Sequence, residues 1–314
     1  MRILHTGDWH VGKKLGRIDR SRETEAVLDE VVAIATDQSV DLVVVAGDLF
    51  DRGLPPFQSL RLVLETLVRL ADTGARVVAI PGNHDSSELF DVLTPHLAHS
   101  NVTIRHKTLR PEEGGVVTLP SRDGSETAQI ACFPFLHEST VVAWAQESDD
   151  KFKSYADRVR DICRAYADSM IKSGGGKTVD ILAAHFMVHG AVPSGSEREL
   201  HIGEAYMARE NAVPNVHYAA LGHIHKAQGA PGSEDRARYC GSLMQLDFGE
   251  AGQDKSVCVV DVTPSGRRKV EQIPVTAGRQ LVRLHGTLDQ IAAKKDEVGD
   301  AIIAVDVVTD GPAP

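Results

Sequence analysis

Asp41-Leu42-Val43-Val44-Val45-Ala46-Gly47-Asp48 is the stretch that decides the fold of this 314-residue chain. Its apolar residues follow one another without polar alternation, which is typical of a parallel strand buried on both faces. A glycine and an aspartate come directly after the strand, where the chain must turn at the edge of a sheet. Open α/β sheets place their functional side chains at this edge, beyond the carboxyl ends of the strands.

The same arrangement occurs on both sides of this stretch. Residues 1–6 form an apolar run before Gly7-Asp8-Trp9-His10, and residues 75–80 form another before Gly82-Asn83-His84-Asp85. Amphipathic helical patterns separate the three runs. This β-α-β-α-β alternation predicts a parallel sheet with helices on its faces.

Two later runs lead to histidines. Residues 179–184 precede His185, and residues 216–221 precede His223 and His225. We therefore expect these imidazoles to lie at strand ends as well, close to the carboxylates of the first half of the chain.

The strands after residue 100 are shorter, and two of them predict an antiparallel hairpin. They lie at 256–262 and 268–273 and are joined by Pro264-Ser265-Gly266, a turn sequence. Parallel strands early and antiparallel strands late indicate two stacked sheets flanked by helices. The predicted helices are 23–38, 56–70, 87–97 and 149–172.

The character of the chain changes after residue 274. A strand at 280–285, a helix at 288–297 and a strand at 301–308 are predicted from the remaining residues. These elements are too few for an independent core. We expect one large domain over 1–274 and, over 275–314, the start of a small α/β domain that is cut short.

Composition describes an ordinary folded protein, with 42% hydrophobic and 25% charged residues. The net charge of −10 gives no support for nucleic-acid binding, although bound cations or a local basic patch can offset it. We expect no leader sequence, and no apolar run comes near the roughly 20 residues of a membrane span. The four scattered cysteines fit reduced, buried thiols, and we expect a cytoplasmic protein without membrane contact.

A basic cluster follows the first motif; its members are Lys13, Lys14, Arg17, Arg20 and Arg22. One interpretation is a solvated loop and helix start. The other is a rim that contacts substrate phosphates, which its position beside the motif favours.

The polar residues at the strand ends have the chemistry of metal ligands. Asp8 and His10 are two residues apart, so both point to one side of an extended segment. His223 and His225 have the same spacing, about 6–7 Å along a strand. Asp48 carries two oxygens and suits a bridging role. Two divalent ions about 3.5–4 Å apart activate water against phosphate esters, so the sequence predicts a phosphoesterase.

We assign the ligands to two sets that share Asp48. The first set is Asp8, His10, Asp48 and His225; the second is Asp48, Asn83, His185 and His223. Nitrogen and oxygen donors without a thiolate favour two Mn²⁺ ions, since Mg²⁺ prefers more oxygens. A hydroxide between the ions is expected to attack phosphorus in line.

His84 is not needed by either set and is expected to protonate the leaving oxygen, with Asp85 orienting its ring. The alternative is that His84 is a turn residue only. The other histidines are expected to be surface or core residues; they are His5, His96, His99, His106, His137, His189, His201, His217 and His285.

With these motifs in place, the chain resembles the calcineurin-like metallophosphoesterases and, among them, the SbcD-type nucleases. Narrower features carry the second resemblance; they are residues 5–14, 133–136, 184–190, 196–198 and 241–250. The resemblance implies a four-layer α/β/β/α sandwich, with a nuclease domain at 1–274 and the start of a capping domain at 275–314.

The same resemblance implies an activity and partners. The activity is Mn²⁺-dependent DNA cleavage in repair and recombination, as a double-strand exonuclease and a single-strand or hairpin endonuclease. The partners are DNA, an SbcC-type ATPase and a second copy of the chain in a homodimer. Lys13, Lys14 and Arg17 become the candidate DNA contacts, and part of the helices 56–70 and 87–97 the candidate dimer contact.

Two features depart from the family pattern. Asp51 stands where archaeal and eukaryotic relatives carry a histidine, so that histidine's role does not transfer. The chain also stops within the expected capping domain, before the segment that docks on SbcC. We expect it to cut simple DNA while binding SbcC poorly.

Three other functions compete. Gly47-Asp-Leu-Phe-Asp-Arg-Gly53 is close to the pattern of serine/threonine protein phosphatases, whose arginine binds substrate phosphate. Gly82-Asn-His-Asp85 and the 241–250 segment oppose that interpretation. A hydrolase of small phosphodiesters is a further alternative. A catalytically idle scaffold is the last, although a scaffold has no need for the complete ligand set.

Overall fold

The computed structural model describes residues 1–97, 99–137, 154–198, 206–233, 236–309 and 311. The strands are β1 Arg2–Thr6, β2 Lys14–Leu15, β3 Ile18–Asp19, β4 Leu42–Ala46, β5 Arg76–Ile80, β6 Val102–Ile104, β7 Val116–Pro120, β8 Thr127–Phe133, β9 Thr178–His185, β10 Met187–Val188, β11 Met207–Ala208, β12 Tyr218–Gly222, β13 Gln228–Gly229, β14 Ala237–Tyr239, β15 Ser256–Val262, β16 Arg268–Pro274, β17 Leu281–Gly286 and β18 Ile302–Val307. The helices are α1 Ser21–Asp37, α2 Phe57–Asp72, α3 Ser87–Leu97, α4 Tyr155–Ser173, α5 Leu288–Ala293 and α6 Lys295–Val298. The first residues of the predicted 149–172 helix lie outside the described residues.

The first large sheet has the strand order β16-β15-β1-β4-β5-β6. Strands β1, β4, β5 and β6 are parallel, as the alternating pattern predicts, and β4 lies between β1 and β5. Its residues show why the run is continuously apolar. Val43 and Val45 pack with the helices on one face, whereas Val44 packs with the other sheet on the opposite face. Burying each valine contributes about 1.5–3 kcal/mol.

The second large sheet has the order β13-β14-β12-β9-β8-β7. Strands β8, β9, β12 and β14 are parallel, and the edge strands β7 and β13 are antiparallel. The predicted antiparallel pair is confirmed as β15–β16, but the expected division into early parallel and late antiparallel strands is wrong for the second sheet, whose inner strands are parallel. The late hairpin β15–β16 joins the first sheet, because β15 pairs with the free edge of β1, with Ile3 opposite Val260. Apolar periodicity marks a strand but does not identify its neighbour.

The layers are helix, sheet, sheet, helix, which confirms the expected sandwich. Helices α1, α2 and α3 cover the first sheet, and their buried residues form one core with it. Helix α4 covers the second sheet through a second core that includes Val159 and Met170. A third core lies between the sheets, where Val44 and Val78 meet Ile130 and Ile181.

The last elements form a small unit with its own sheet. Strands β17 and β18 pair in parallel, with α5 and α6 in the crossover. The predicted single helix at 288–297 is divided at Lys294. The unit is tied to the sandwich through Gln245, whose Oε1 accepts the backbone N–H of Leu281 at 2.6 Å. The domain boundary near residue 274 stays a prediction.

All four cysteines are free and buried, as expected from their scatter. In the part of the chain that the structure describes, no helix combines the length and apolar character needed to cross a membrane.

Candidate metal centre

Both large sheets contribute side chains to one site. Asp8, Asp48 and Asn83 follow β1, β4 and β5, while His185 ends β9 and His223 follows β12. The sheets approach each other closely here. A Cβ at Gly222 would run into the carbonyl oxygen of Ala46 on β4, so only glycine allows this approach.

The backbone of the ligand loops is itself unusual. Asp8, His10, Asp48 and His223 have positive φ values of 49°, 45°, 49° and 94°. Non-glycine residues seldom adopt this region, and such strain is found at functional sites. Gly82 permits the tight packing of these loops, because a Cβ there would meet the Asp48 carboxylate.

A first cluster consists of Asp8, His10, Asp48 and His225. One ligand atom from each lies within 4.8 Å of the others. His10 Nε2 is 3.1 Å from His225 Nε2 and 3.5 Å from Asp48 Oδ2. The structure thus brings together the four residues that the sequence assigned to the first ion.

A second cluster forms on the other side of Asp48. Asn83 Oδ1 lies 3.0 Å from His185 Nε2 and 2.8 Å from His223 Nδ1. His185 Nε2 is 3.6 Å from Asp48 Oδ2, the same oxygen that faces His10. Asp48 therefore stands between the two clusters, as expected of a shared ligand.

The donor set fits divalent cations. None of the seven residues is more than 5% exposed, and the Nε2 atoms of His10 and His185 both lie within 3.6 Å of the same carboxylate oxygen, Asp48 Oδ2. His10 Nδ1 is buried without a hydrogen-bond partner among the described atoms.

Burial raises the pKa of Asp8 to about 6. Burial alone would lower the pKa of His185. The nearby Asp48 carboxylate has a larger opposite effect, so the pKa is raised to about 9. The buried carboxylates of Asp8 and Asp48 are thus stabilised by a positive charge next to them, and a bound cation would supply that charge.

His84 lies beside the clusters. Its Nδ1 is 2.9 Å from the carbonyl oxygen of Asp51, so Nδ1 carries a proton and donates. Its ring meets that of His10 edge to face at 4.6 Å, and burial lowers its pKa. His10, Asp51 and His84 also offer converging ligand atoms. Lys13 Nζ, however, is 3.3 Å from Asp51 Oδ1 and already balances that carboxylate.

Asp85 does not orient His84, which corrects the role expected for it. Its carboxylate accepts the backbone N–H groups of Leu49, Phe50 and Gly82 at 3.1, 2.9 and 2.9 Å. It therefore holds the loop after β4 against the loop after β5. The group that fixes the His84 ring is the Asp51 carbonyl, which sequence spacing could not indicate because every residue has one.

The basic cluster divides into two kinds of residue. Lys14 and Arg17 are exposed on the β2–β3 hairpin after the first motif, and Lys13 is partly exposed beside Asp51. Arg20 is only 1% exposed and forms an ion pair with Glu23. The expectation that Arg20 belongs to a phosphate-contacting rim is therefore wrong.

Sequence reasoning missed the residues behind His225. Its Nδ1 lies 2.6 Å from Ser196 Oγ and 3.1 Å from Glu250 Oε1, and its backbone N–H is accepted by Glu197. These residues occur in two of the segments that carried the family resemblance, but nothing in their spacing indicated that they surround a histidine.

His5 is one of the histidines predicted to have a structural role only, and its surroundings agree with that prediction. It is fully buried between the sheets, where its Nδ1 is 2.9 Å from the Tyr218 hydroxyl. His201 lies outside the described residues.

Comparison with known proteins shows the family of this chain. Residues 1–227 match the calcineurin-like phosphoesterase family. The D subunit of nuclease SbcCD from Bacillus subtilis (strain 168) is 33% identical over 287 residues, which covers 90% of this chain and 72% of that protein. Its counterpart from Escherichia coli (strain K12) is 32% identical over 303 residues, covering 96% and 74%. The crystal structure of TT1561 of Thermus thermophilus matches over 88% of this chain and 99% of its own, at a TM-score of 0.47 and 12% identity.

Proposed function

The chain belongs to the calcineurin-like phosphoesterases and, within them, to the family of the SbcCD nuclease D subunits, and from this premise we propose that it is a metal-dependent DNA nuclease. One observation carries the proposal at the level of the site. Asp48 Oδ2 lies 3.5 Å from His10 Nε2 and 3.6 Å from His185 Nε2. A single carboxylate oxygen thus faces both groups of donors.

The proposed ligand sets are those of the two clusters. Asp8, His10, Asp48 and His225 would hold one ion, and Asp48, Asn83, His185 and His223 the other. When bound, such a pair supplies the charge that activates water and neutralises the phosphodiester in the transition state. Manganese is the proposed ion because the donors mix imidazole nitrogen with oxygen and contain no thiolate.

His84 is the proposed proton donor to the leaving oxygen. Because its Nδ1 donates to the Asp51 carbonyl, Nε2 is the atom that can hold and release a second proton. Its backbone N–H donates to Asp48 Oδ1 at 2.8 Å. This hydrogen bond links the residue of the proposed proton donor to the proposed shared ligand. Asp85 supports both by fixing the two loops, and we propose for it a positioning role.

The finer activity and the partners are proposals too. The relatives are D subunits of SbcCD nucleases, which supports an SbcC-type partner. That this partner is an ATPase and that both DNA ends and hairpins are cut are proposals from the family resemblance. Lys13, Lys14 and Arg17 would contact the DNA backbone. Phe57 at the start of α2 is 90% exposed and Val92 on α3 is 63% exposed, which supports a homodimer through these helices. The division at residue 274 is proposed as the boundary between nuclease and capping domains.

Parallel substrate assays test the function. Linear duplex DNA, a DNA hairpin, a phosphoserine peptide and cyclic AMP are incubated with Mn²⁺, Mg²⁺ or Zn²⁺, with a chelator as the control. We expect Mn²⁺-dependent cleavage of both DNAs and little turnover of the other two. Faster hydrolysis of the phosphopeptide would favour the phosphatase alternative, and faster hydrolysis of cyclic AMP the small-phosphodiester alternative.

A further inference from the structure

A buried ion pair stands behind His225, on the side of the ring away from the metal centre. Glu250 is completely buried and Lys255 is 6% exposed. Lys255 Nζ lies 2.5 Å from Glu250 Oε2. Ser242 Oγ is 2.9 Å from each of these two atoms, so the pair is hydrogen-bonded as well as charged. Placing two charges in the interior is unfavourable unless they are paired in this way.

Both members of the pair contact His225. Glu250 Oε1 is 3.1 Å from the ring Nδ1, and Lys255 Nζ is 3.2 Å from the carbonyl oxygen of His225. Ser196 lies between ring and carboxylate, 2.6 Å from Nδ1, and its hydroxyl donates to Glu250. The ring and the main chain of one residue are thus fixed by the same ion pair.

The contacts determine where the imidazole proton resides. A carboxylate oxygen only accepts hydrogen bonds, and the Ser196 hydroxyl gives its single proton to that carboxylate. Nδ1 must therefore carry the proton and donate. Nε2 is then left with its lone pair, and it is Nε2 that lies 3.1 Å from His10 Nε2 in the first cluster.

We propose that Glu250, held by Lys255, is a positioning residue that fixes His225 in the metal-binding tautomer and orientation. The inference rests on the proposed metal centre and adds to it a group outside both ligand sets. A carboxylate behind a ligating histidine also makes the imidazole a better donor. At the corresponding atom, His185 contacts a main-chain carbonyl instead of a carboxylate, Ala46 O at 2.8 Å.

The test compares metal binding and ring tautomer in matched variants of the full chain. Mn²⁺ binding is measured by calorimetry and by the electron paramagnetic resonance signal of free Mn²⁺. The His225 tautomer is read from ¹⁵N chemical shifts of the metal-free protein. Glu250→Ala is expected to weaken one of two Mn²⁺ sites about 10–100-fold, the usual effect of removing such a partner, and to populate the other tautomer. Glu250→Gln keeps an acceptor and should restore most of the affinity.

Two controls separate positioning from other effects. Glu271→Ala removes an exposed carboxylate on β16 and should bind both ions as the parent chain does. If Glu250→Ala unfolds because Lys255 loses its partner, the double variant Glu250→Gln/Lys255→Met removes both charges and should fold with near-normal affinity. Unchanged Mn²⁺ affinity and unchanged tautomer in Glu250→Ala, or in a folded Glu250→Leu/Lys255→Met variant, would overturn the inference. Because neither readout involves cleavage, a parent chain that binds two ions but does not cut DNA would refute only the proposed nuclease activity.

Discussion

Replacing His84 by alanine tests whether one residue next to the metal centre has a purely chemical role. The change removes the ring but leaves the backbone N–H that donates to Asp48 Oδ1. The lost interactions are the hydrogen bond to the Asp51 carbonyl and the edge-to-face contact with His10. Together they stabilise the fold by about 1–3 kcal/mol. A fold stabilised by about 5–15 kcal/mol tolerates that loss.

The effect on DNA cleavage should be much larger. General acid catalysis contributes about 10²–10⁴-fold, which corresponds to about 3–5 kcal/mol of activation free energy. Mn²⁺ affinity should remain near that of the parent, because His84 belongs to neither cluster. The assay is single-turnover cleavage of duplex DNA beside hydrolysis of bis-p-nitrophenyl phosphate. The leaving group of the second substrate needs no proton, so its hydrolysis should fall far less than DNA cleavage.

Two variants serve as references for this measurement. His84→Gln retains a donor for the Asp51 carbonyl but cannot transfer a proton, so it should be as slow on DNA as His84→Ala. His285→Ala removes an exposed histidine on β17 and should leave both rates unchanged. The reasoning is refuted if the two substrates slow equally, or if the loss of activity follows a loss of Mn²⁺ binding.

Four further substitutions probe the supporting structure and the proposed DNA contacts. Asp85→Ala leaves three buried N–H groups without their acceptor, at a cost of about 1–3 kcal/mol each. The free energy of unfolding, measured in urea, should therefore fall by about 3 kcal/mol or more. A smaller loss would mean that other contacts hold the two loops together. Gly222→Ala forces a Cβ against the Ala46 carbonyl, so it should destabilise the fold by about 1–3 kcal/mol and weaken Mn²⁺ binding. A stability and a Mn²⁺ affinity like those of the parent would contradict the close approach of the sheets. Lys14→Ala and Arg17→Ala should each make the negative slope of log DNA affinity against log salt concentration shallower by about 1. An unchanged slope would mean that the β2–β3 hairpin does not contact DNA.

Much of the fold follows from local sequence patterns. The run Leu42–Ala46 predicts a strand buried on both faces, and its valines do alternate between a helix-side and an inter-sheet core. The residues after each strand predict the metal centre because the carboxyl ends of parallel strands meet at one edge. Asp48 could be proposed as the shared ligand because it follows the apolar strand Leu42–Ala46 and its carboxylate offers two oxygens.

What the sequence did not reveal depends on contacts between distant segments. The hairpin β15–β16 joins β1 across more than 250 residues, and apolar periodicity contains no information about that choice. Arg20 has the sequence context of a surface cation, yet its partner Glu23 and the Gln245 carbonyl enclose it. Asp85 and Glu250 act on backbone amides and on a histidine ring from other loops, so their roles appear only once the loops are in place.

The central claim is that two ions bind side by side and share Asp48, and Mn²⁺ stoichiometry tests it most directly. Calorimetry and electron paramagnetic resonance should find two Mn²⁺ per chain in the parent, with the spectrum of a magnetically coupled pair. Asp48→Asn should abolish binding at both sites together with DNA cleavage, because its oxygen faces His10 and His185 alike. Two ions bound with parent-like affinity by Asp48→Asn, or one uncoupled ion in the parent, would contradict the account.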